Sequence, residues 1–165
     1  MYGADFKLLS VIIPVYRQEK TIVRDIRNII AELTILNIPF ELIVVVDGNE
    51  DRSLEVAKKN IRHTNVTIAG YPTNHGKGYA VRYGMAKSRG DIIGFLDAGG
   101  DLKAQALSMM LAHFRWYNAD VIVGSDGYPV GGAAFVYHGS DLIFADGFET
   151  GDLSAWSAAQ TDGGD

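Results

Sequence analysis

Two short apolar runs constrain this chain more than any other feature. Residues 8–15 read LLSVIIPV and residues 40–46 read FELIVVV, both rich in β-branched side chains and short enough to be strands rather than helices. Runs that are apolar on both faces suit buried parallel strands, because crossover helices cover such a sheet on each side. Between them Ile22, Ile26, Ile29, Ile30, Leu33 and Leu36 recur at intervals of three and four. Arg24, Asp25, Arg27, Asn28 and Glu32 fill the opposite face, which predicts an amphipathic helix over 21–37, closed by Asn37 and Pro39.

The alternation continues along the chain. A polar turn at 47–51 leads to a short helix through Ile61, and residues 66–69 predict a weaker strand. A loop at 71–75 precedes a Gly-punctuated helix over 76–88, and residues 92–96 predict a fourth strand that delivers Asp97 at its carboxyl end. A helix over 103–117 and a fifth strand at 121–123 complete a β-α-β-α-β-α-β-α-β order. That order predicts an α/β fold, a doubly wound, Rossmann-like parallel sheet with right-handed crossovers. Such sheets bind ligands beyond the carboxyl ends of their strands, which singles out the loops at 14–19, 47–51, 71–78 and 97–101.

Composition excludes several alternatives. With 165 residues, 47% of them apolar, the chain can bury a core without staples, and with no cysteine it has no disulfide framework and no thiolate chemistry. No apolar run reaches the roughly 20 residues of a membrane span, and the first residues lack the pattern of a secretion signal, so the expected location is cytoplasmic. All 15 Lys and Arg lie at or before Arg115, against 12 Asp and Glu there, a net +3; the last 50 residues hold eight acids and no base, a net −8. The bases are spread along helices without interleaved aromatics, so no nucleic-acid surface is expected. The chain changes character near Ser125, which divides it into residues 1–125 and an acidic, Gly-rich tail over 126–165.

Each selected loop carries a candidate chemistry beside a plainer role. Asp97 and Asp101 flank Ala98, Gly99 and Gly100, two hard oxygen ligands on a pliable loop that suit Mg²⁺ or Mn²⁺. The plainer role has Asp101 capping the next helix and Asp97 ending a strand. Asn74-His75-Gly76-Lys77-Gly78 opens a helix, where free N–H groups and the Lys77 charge favour a phosphate. His75 is a loop histidine with no evident partner, so hydrogen bonding is the expectation rather than acid or base work. Asp47 at the mouth of the sheet can accept hydrogen bonds from a nucleobase or ribose, or can serve an Asp-Gly turn. Tyr16, just past Pro14, can flank a base or pack beneath its loop.

Taken in order, SVIIPVYRQEKTI, ELIVVVDGNEDRS, NHGKGYAVRYGMAKSRGDIIGFLDAGGD and ADVIVGS resemble family 2 glycosyltransferases of the GT-A type, in particular the dolichyl- or polyprenyl-phosphate mannose and glucose synthases. The resemblance covers residues 8 to about 125. It implies a donor site for a GDP- or UDP-hexose in which Pro14, Tyr16 and Asp47 hold the nucleotide, with Glu19, Lys77, Asp97 and Ala98 in the same binding set. It also implies a divalent cation, Mg²⁺ or Mn²⁺, on Asp97. The chain departs from the family pattern at three places: Arg17-Gln18 stands for Asn-Glu, Val46-Asp47 for Asp-Asp, and Gly99 for the second acid of Asp-x-Asp, leaving Asp101 as the further ligand.

The implied reaction transfers a hexose with inversion to a polyprenyl phosphate or a saccharide. A lipid-phosphate acceptor would bring the chain to a membrane surface as a peripheral protein. No catalytic base is identified, because in the family the acceptor-side residues follow the Gly-Ser that matches Gly124-Ser125. After that point residues 126–141 faintly resemble a strand-turn-strand repeat, and the end of the chain reads as unrelated sequence on a truncated enzyme. The alternative is a nucleotide-binding remnant without catalysis, fused to an acidic tail. A β-rich interaction or calcium-binding module over 126–157 ranks last, since it lacks the alternating Asp spacing of a calcium loop.

Overall fold

The structure, a computed structural model, describes residues 7–99, 107–112, 121–125 and 133–137. Backbone contacts divide the chain into one unit within Asp5–Ser108 and a second that holds the later strands. In the first unit β1 (Leu9–Val15), β2 (Phe40–Asp47), β3 (Val66–Tyr71) and β4 (Ile92–Phe95) form a parallel sheet in the order β3-β2-β1-β4. The connections are α1 (Ile22–Ile35), α2 (Ser53–Asn60) and α3 (Lys77–Met85). This is the expected α/β architecture, and the two runs that predicted it lie side by side at its centre, with Leu9 facing Phe40 and Val15 facing Val46.

Burial explains why these segments are strands. All eight residues of β2 are buried, and so are six of the seven in β1. One face of the sheet presents Ile12, Ile43 and Val45 to Ala80 of α3. On the other face Leu54 of α2 lies over Gly70 of β3, and α1 packs against α2. The helices therefore cover both faces, as continuous apolar strands require. Burying a side chain such as Ile12 or Leu42 contributes on the order of 2 kcal/mol.

Pro14 fits within β1 for a specific reason. The carbonyls of Leu8 and Ile12 accept from Ile92 and Leu96, so even-numbered residues of β1 direct their backbone groups toward β4. The ladder to β4 ends at Ile12 and Phe95, and Pro14 comes next, where no partner is lost by its missing N–H. At the end of α1, Asn37 takes a left-handed backbone with φ of 52°, which stops the helix as the sequence predicts.

Two segments differ from expectation. β3 runs to Tyr71 rather than ending at residue 69, because Val46 and Asp47 pair with Gly70 and Tyr71. The fifth strand, β5 (Val121–Ser125), pairs antiparallel with β6 (Ala133–Tyr137) in a separate two-stranded sheet, instead of extending the parallel one. Only seven residues link β5 to β6, enough for an antiparallel return but short of a parallel crossover. Of the helix expected over 103–117, residues 107–112 are helical and the remainder lies outside the described residues. Among the described residues no helix is long and apolar enough to cross a membrane.

Candidate functional site

The loops after β1 and β2 are stitched together at the carboxyl end of the sheet. The Gln18 N–H donates to Ser53 Oγ at 2.8 Å and the Glu19 N–H to Asp51 Oδ2 at 3.1 Å. In return the Arg52 N–H donates to Glu19 Oε2 at 3.1 Å, while the Ser53 N–H reaches Asp51 Oδ1 at 2.9 Å. Burial tends to raise the pKa of Asp51, but the Ser53 hydroxyl and N–H, the Glu19 N–H and the Arg17 charge together hold it below the ordinary carboxylate value. Asp51 and Ser53 do not stand out in the sequence as site residues. The signal available was Asp-x-Ser at a helix start, a pattern that satisfies free N–H groups.

This stitching sets the exit of β1. Tyr16 projects there with 46% of its surface exposed, and the Arg17 guanidinium lies 6.0 Å from its ring centre. Arg17 itself has φ of 52°, a left-handed conformation that side chains other than Gly, Asn and Asp adopt at a cost. The resemblance puts Asn at this position, a residue that tolerates the conformation; the chain carries Arg there instead. Glu19 is half-buried, with its carboxylate turned to the loop that starts α2.

Asp47 is 3% exposed at the end of β2, and both its oxygens are engaged. Oδ1 accepts the N–H of His75 at 2.8 Å and Oδ2 the N–H of Gly76 at 2.9 Å. Gly76 has φ of 89°, a conformation that only glycine takes readily, and its N–H also reaches Asn74 Oδ1 at 3.1 Å. A carboxylate on one strand thus fixes the turn that starts α3, more than 25 residues away in sequence. The Tyr71 hydroxyl is buried beside it, outside hydrogen-bonding geometry and with no partner among the described residues. Burial first, and then the neighbouring Asp47 carboxylate, push the phenol above its ordinary pKa of 10.0, so it stays protonated.

His75 belongs to an aromatic cluster. Its ring lies 5.6 Å from that of Tyr71 and 4.6 Å from that of Tyr79, and Tyr83 meets Tyr71 edge to face at 5.2 Å. The cluster packs the turn before α3 against the end of β3.

Beyond that turn, Lys77 Nζ meets Asp97 Oδ1 at 2.7 Å, with side chains 51% and 65% exposed. Ala98, next in the chain, is buried and anchors the loop after β4. The fold therefore brings Lys77 and Asp97, 20 residues apart, to one point beside the Asp47 turn. Asp101, the second expected metal ligand, lies outside the described residues. Among the described residues no three His, Asp or Glu side chains converge on one point. Asp97 nevertheless fits a hard divalent cation of the Mg²⁺ type, which binds through one or two carboxylates and takes its remaining ligands from phosphate and water. It is exposed, and it already holds a positive group at contact distance.

Comparison with known proteins bears on the family of the chain and on its fold. A profile of glycosyl transferase family 2 matches residues 10–153, past Ser125. A dolichyl-phosphate beta-glucosyltransferase (ALG5D) of Trichomonas vaginalis is 30% identical over 108 residues, covering 62% of this chain and 33% of the relative. Among solved structures, S. aureus TarS 1-349 in complex with UDP-GlcNAc superposes with a TM-score of 0.56 at 24% identity, over 74% of this chain and 36% of that one. A mannosyltransferase of Pyrobaculum calidifontis in complex with GDP-Man and Mn²⁺ gives a TM-score of 0.50 at 21% identity, over 58% and 28%. The chain thus spans about a third of the length of the proteins it matches. With a family match over most of its length and a parallel sheet shared with GT-A enzymes, the chain belongs to glycosyl transferase family 2.

Proposed function

We propose that the chain binds a nucleoside diphospho-hexose at the carboxyl end of its parallel sheet and serves its inverting transfer to a polyprenyl phosphate or a saccharide. The observation that carries this reading is the meeting of the Asp47-held turn with the Lys77–Asp97 pair at one end of β1, β2 and β4. In this reading Pro14 and Tyr16 flank the nucleoside, Asp47 fixes the turn beneath it, and Lys77 faces the diphosphate from the start of α3. Glu19 contributes by holding the loops after β1 and β2 together. The GDP-Man, UDP-GlcNAc and Mn²⁺ bound by the similar structures support a nucleotide sugar with a divalent cation.

Mg²⁺ or Mn²⁺ would be held by Asp97, with Asp101, and would supply charge to offset the departing nucleoside diphosphate. The chain's own part is electrostatic and positional. Lys77 brings a positive charge toward the same leaving group, and Asp47 holds the turn from which that side chain extends. A polyprenyl phosphate acceptor, as in the name of the Trichomonas relative, is anionic near neutral pH and needs no general base. Such an acceptor would place the chain at a membrane surface, peripherally.

The test is calorimetric titration of UDP, GDP and their hexose conjugates, with and without Mn²⁺, on the wild type and on Asp97→Ala. Metal-dependent binding that disappears in the variant is expected. A folded chain that binds none of these nucleotides defeats the proposal. Binding with no transfer to polyprenyl phosphate or saccharide selects the remnant instead.

A further inference from the structure

The carboxylate proposed above as a cation ligand already carries a resident cation. Lys77 Nζ sits 2.7 Å from Asp97 Oδ1, and both side chains reach into solvent. We infer that Lys77 is an exchangeable counter-ion: it holds Asp97 until a divalent cation arrives, and the released ammonium then turns to the donor diphosphate. This inference rests on the donor-site reading and assigns Lys77 two successive partners within it.

Three features support the exchange. The root of Lys77 is fixed, because it is the first residue of α3 and the preceding turn is bound through the N–H groups of His75 and Gly76 to Asp47. Its four-carbon stem is free to rotate about that root. The pair itself is exposed at both ends, and exposed pairs hold weakly, so a doubly charged ion displaces an ammonium from a single carboxylate. The ring of Phe95, 5.7 Å from the ammonium, offers a second attractive surface close by, so leaving Asp97 does not strand the charge.

The exchange has a signature of two opposite signs. A lysine that only assists the diphosphate leaves metal affinity untouched when removed, and one that only props the loop weakens both. An exchangeable counter-ion strengthens metal binding when removed and weakens diphosphate binding. The experiment is Mn²⁺ titration without nucleotide, followed by UDP and GDP titration at saturating Mn²⁺, on the wild type, Lys77→Met and Lys77→Arg. Lys77→Met is expected to bind Mn²⁺ several-fold more tightly and the nucleotides several-fold more weakly, while Lys77→Arg stays close to wild type in both. Unchanged or weaker Mn²⁺ binding in Lys77→Met overturns the inference, as does unchanged nucleotide binding. If neither the wild type nor the variant takes Mn²⁺, the exchange is overturned, and nucleotide binding in the same series reports separately on the donor site.

Discussion

The two ends of the parallel sheet use the same device for different purposes. At the amino end Glu41 accepts the Ser10 hydroxyl at 2.6 Å, the Arg89 N–H at 2.6 Å and the Arg89 guanidinium at 2.9 Å. At the carboxyl end Asp47 accepts two consecutive backbone N–H groups. Both carboxylates are buried, and both tie a distant loop to β2, one after α3 and the other before it. At the amino end the cationic partner closes on the buried acid itself. At the carboxyl end the buried acid spends its oxygens on backbone, and the cation Lys77 is left to pair with a second, exposed acid. The first arrangement locks; the second can be exchanged.

Breaking the carboxyl end should have the largest effect. Asp47→Ala removes the buried carboxylate that accepts two N–H groups of the turn before α3 and is expected to cost about 3 kcal/mol in denaturant unfolding, with loss of nucleotide binding. Equal loss of stability with nucleotide binding intact would detach Asp47 from the site. Glu41→Gln should cost about 2 kcal/mol and leave nucleotide binding unchanged, since its partners lie at the other end.

The Glu41 contribution has a defined pH window. Burial tends to raise its pKa, yet the bonds from Ser10 and Arg89 outweigh that and hold it below the ordinary 4.5. A lowered carboxylate pKa stabilises the fold above the unfolded value and loses that stability as pH falls through the folded one. The gap in stability between wild type and Glu41→Gln should therefore be full at pH 7 and shrink below pH 4.5, which unfolding curves at several pH values would reveal. A gap that stays constant into acid would show that Glu41 acts through packing.

Gly90→Ala sharpens the comparison further. An added Cβ would lie 2.7 Å from the Leu8 carbonyl oxygen and 2.5 Å from Ser10 Oγ, so a loss of about 1 to 2 kcal/mol is expected at the amino end alone. Arg17→Asn should raise stability by roughly 0.5 to 1 kcal/mol, because asparagine tolerates the left-handed backbone at φ 52°. Asp97→Asn should move stability least, by less than about 1 kcal/mol, while removing metal-dependent nucleotide binding. A large change in its unfolding midpoint would mean that the exposed pair is structural after all.

Much of the fold is legible in sequence because it depends on short-range pattern. Ile22, Ile26, Ile29 and Leu33 predict α1, and all four are buried. The site is legible only in part. Asp47, Lys77 and Asp97 stand out as polar residues after strands or at a helix start, but nothing local shows that Asp47 binds backbone at 75 and 76, or that Lys77 pairs with Asp97. Asp51 and Ser53 escape notice because their partners, Gln18 and Glu19, lie in another loop. The aromatic cluster of Tyr71, His75, Tyr79 and Tyr83 is likewise invisible until β3 is seen to extend to Tyr71.

By itself the sequence determined the parallel α/β class, the positions of β1, α1 and β2, and the end of the sheet at which to look. Those follow from burial periodicity and from the covering that two-faced apolar strands demand. Tertiary structure alone decided the partners of each carboxylate and the pairing of β5 with β6. Hydrogen bonds and ion pairs between groups tens of residues apart are set by register and loop closure, which no local pattern encodes.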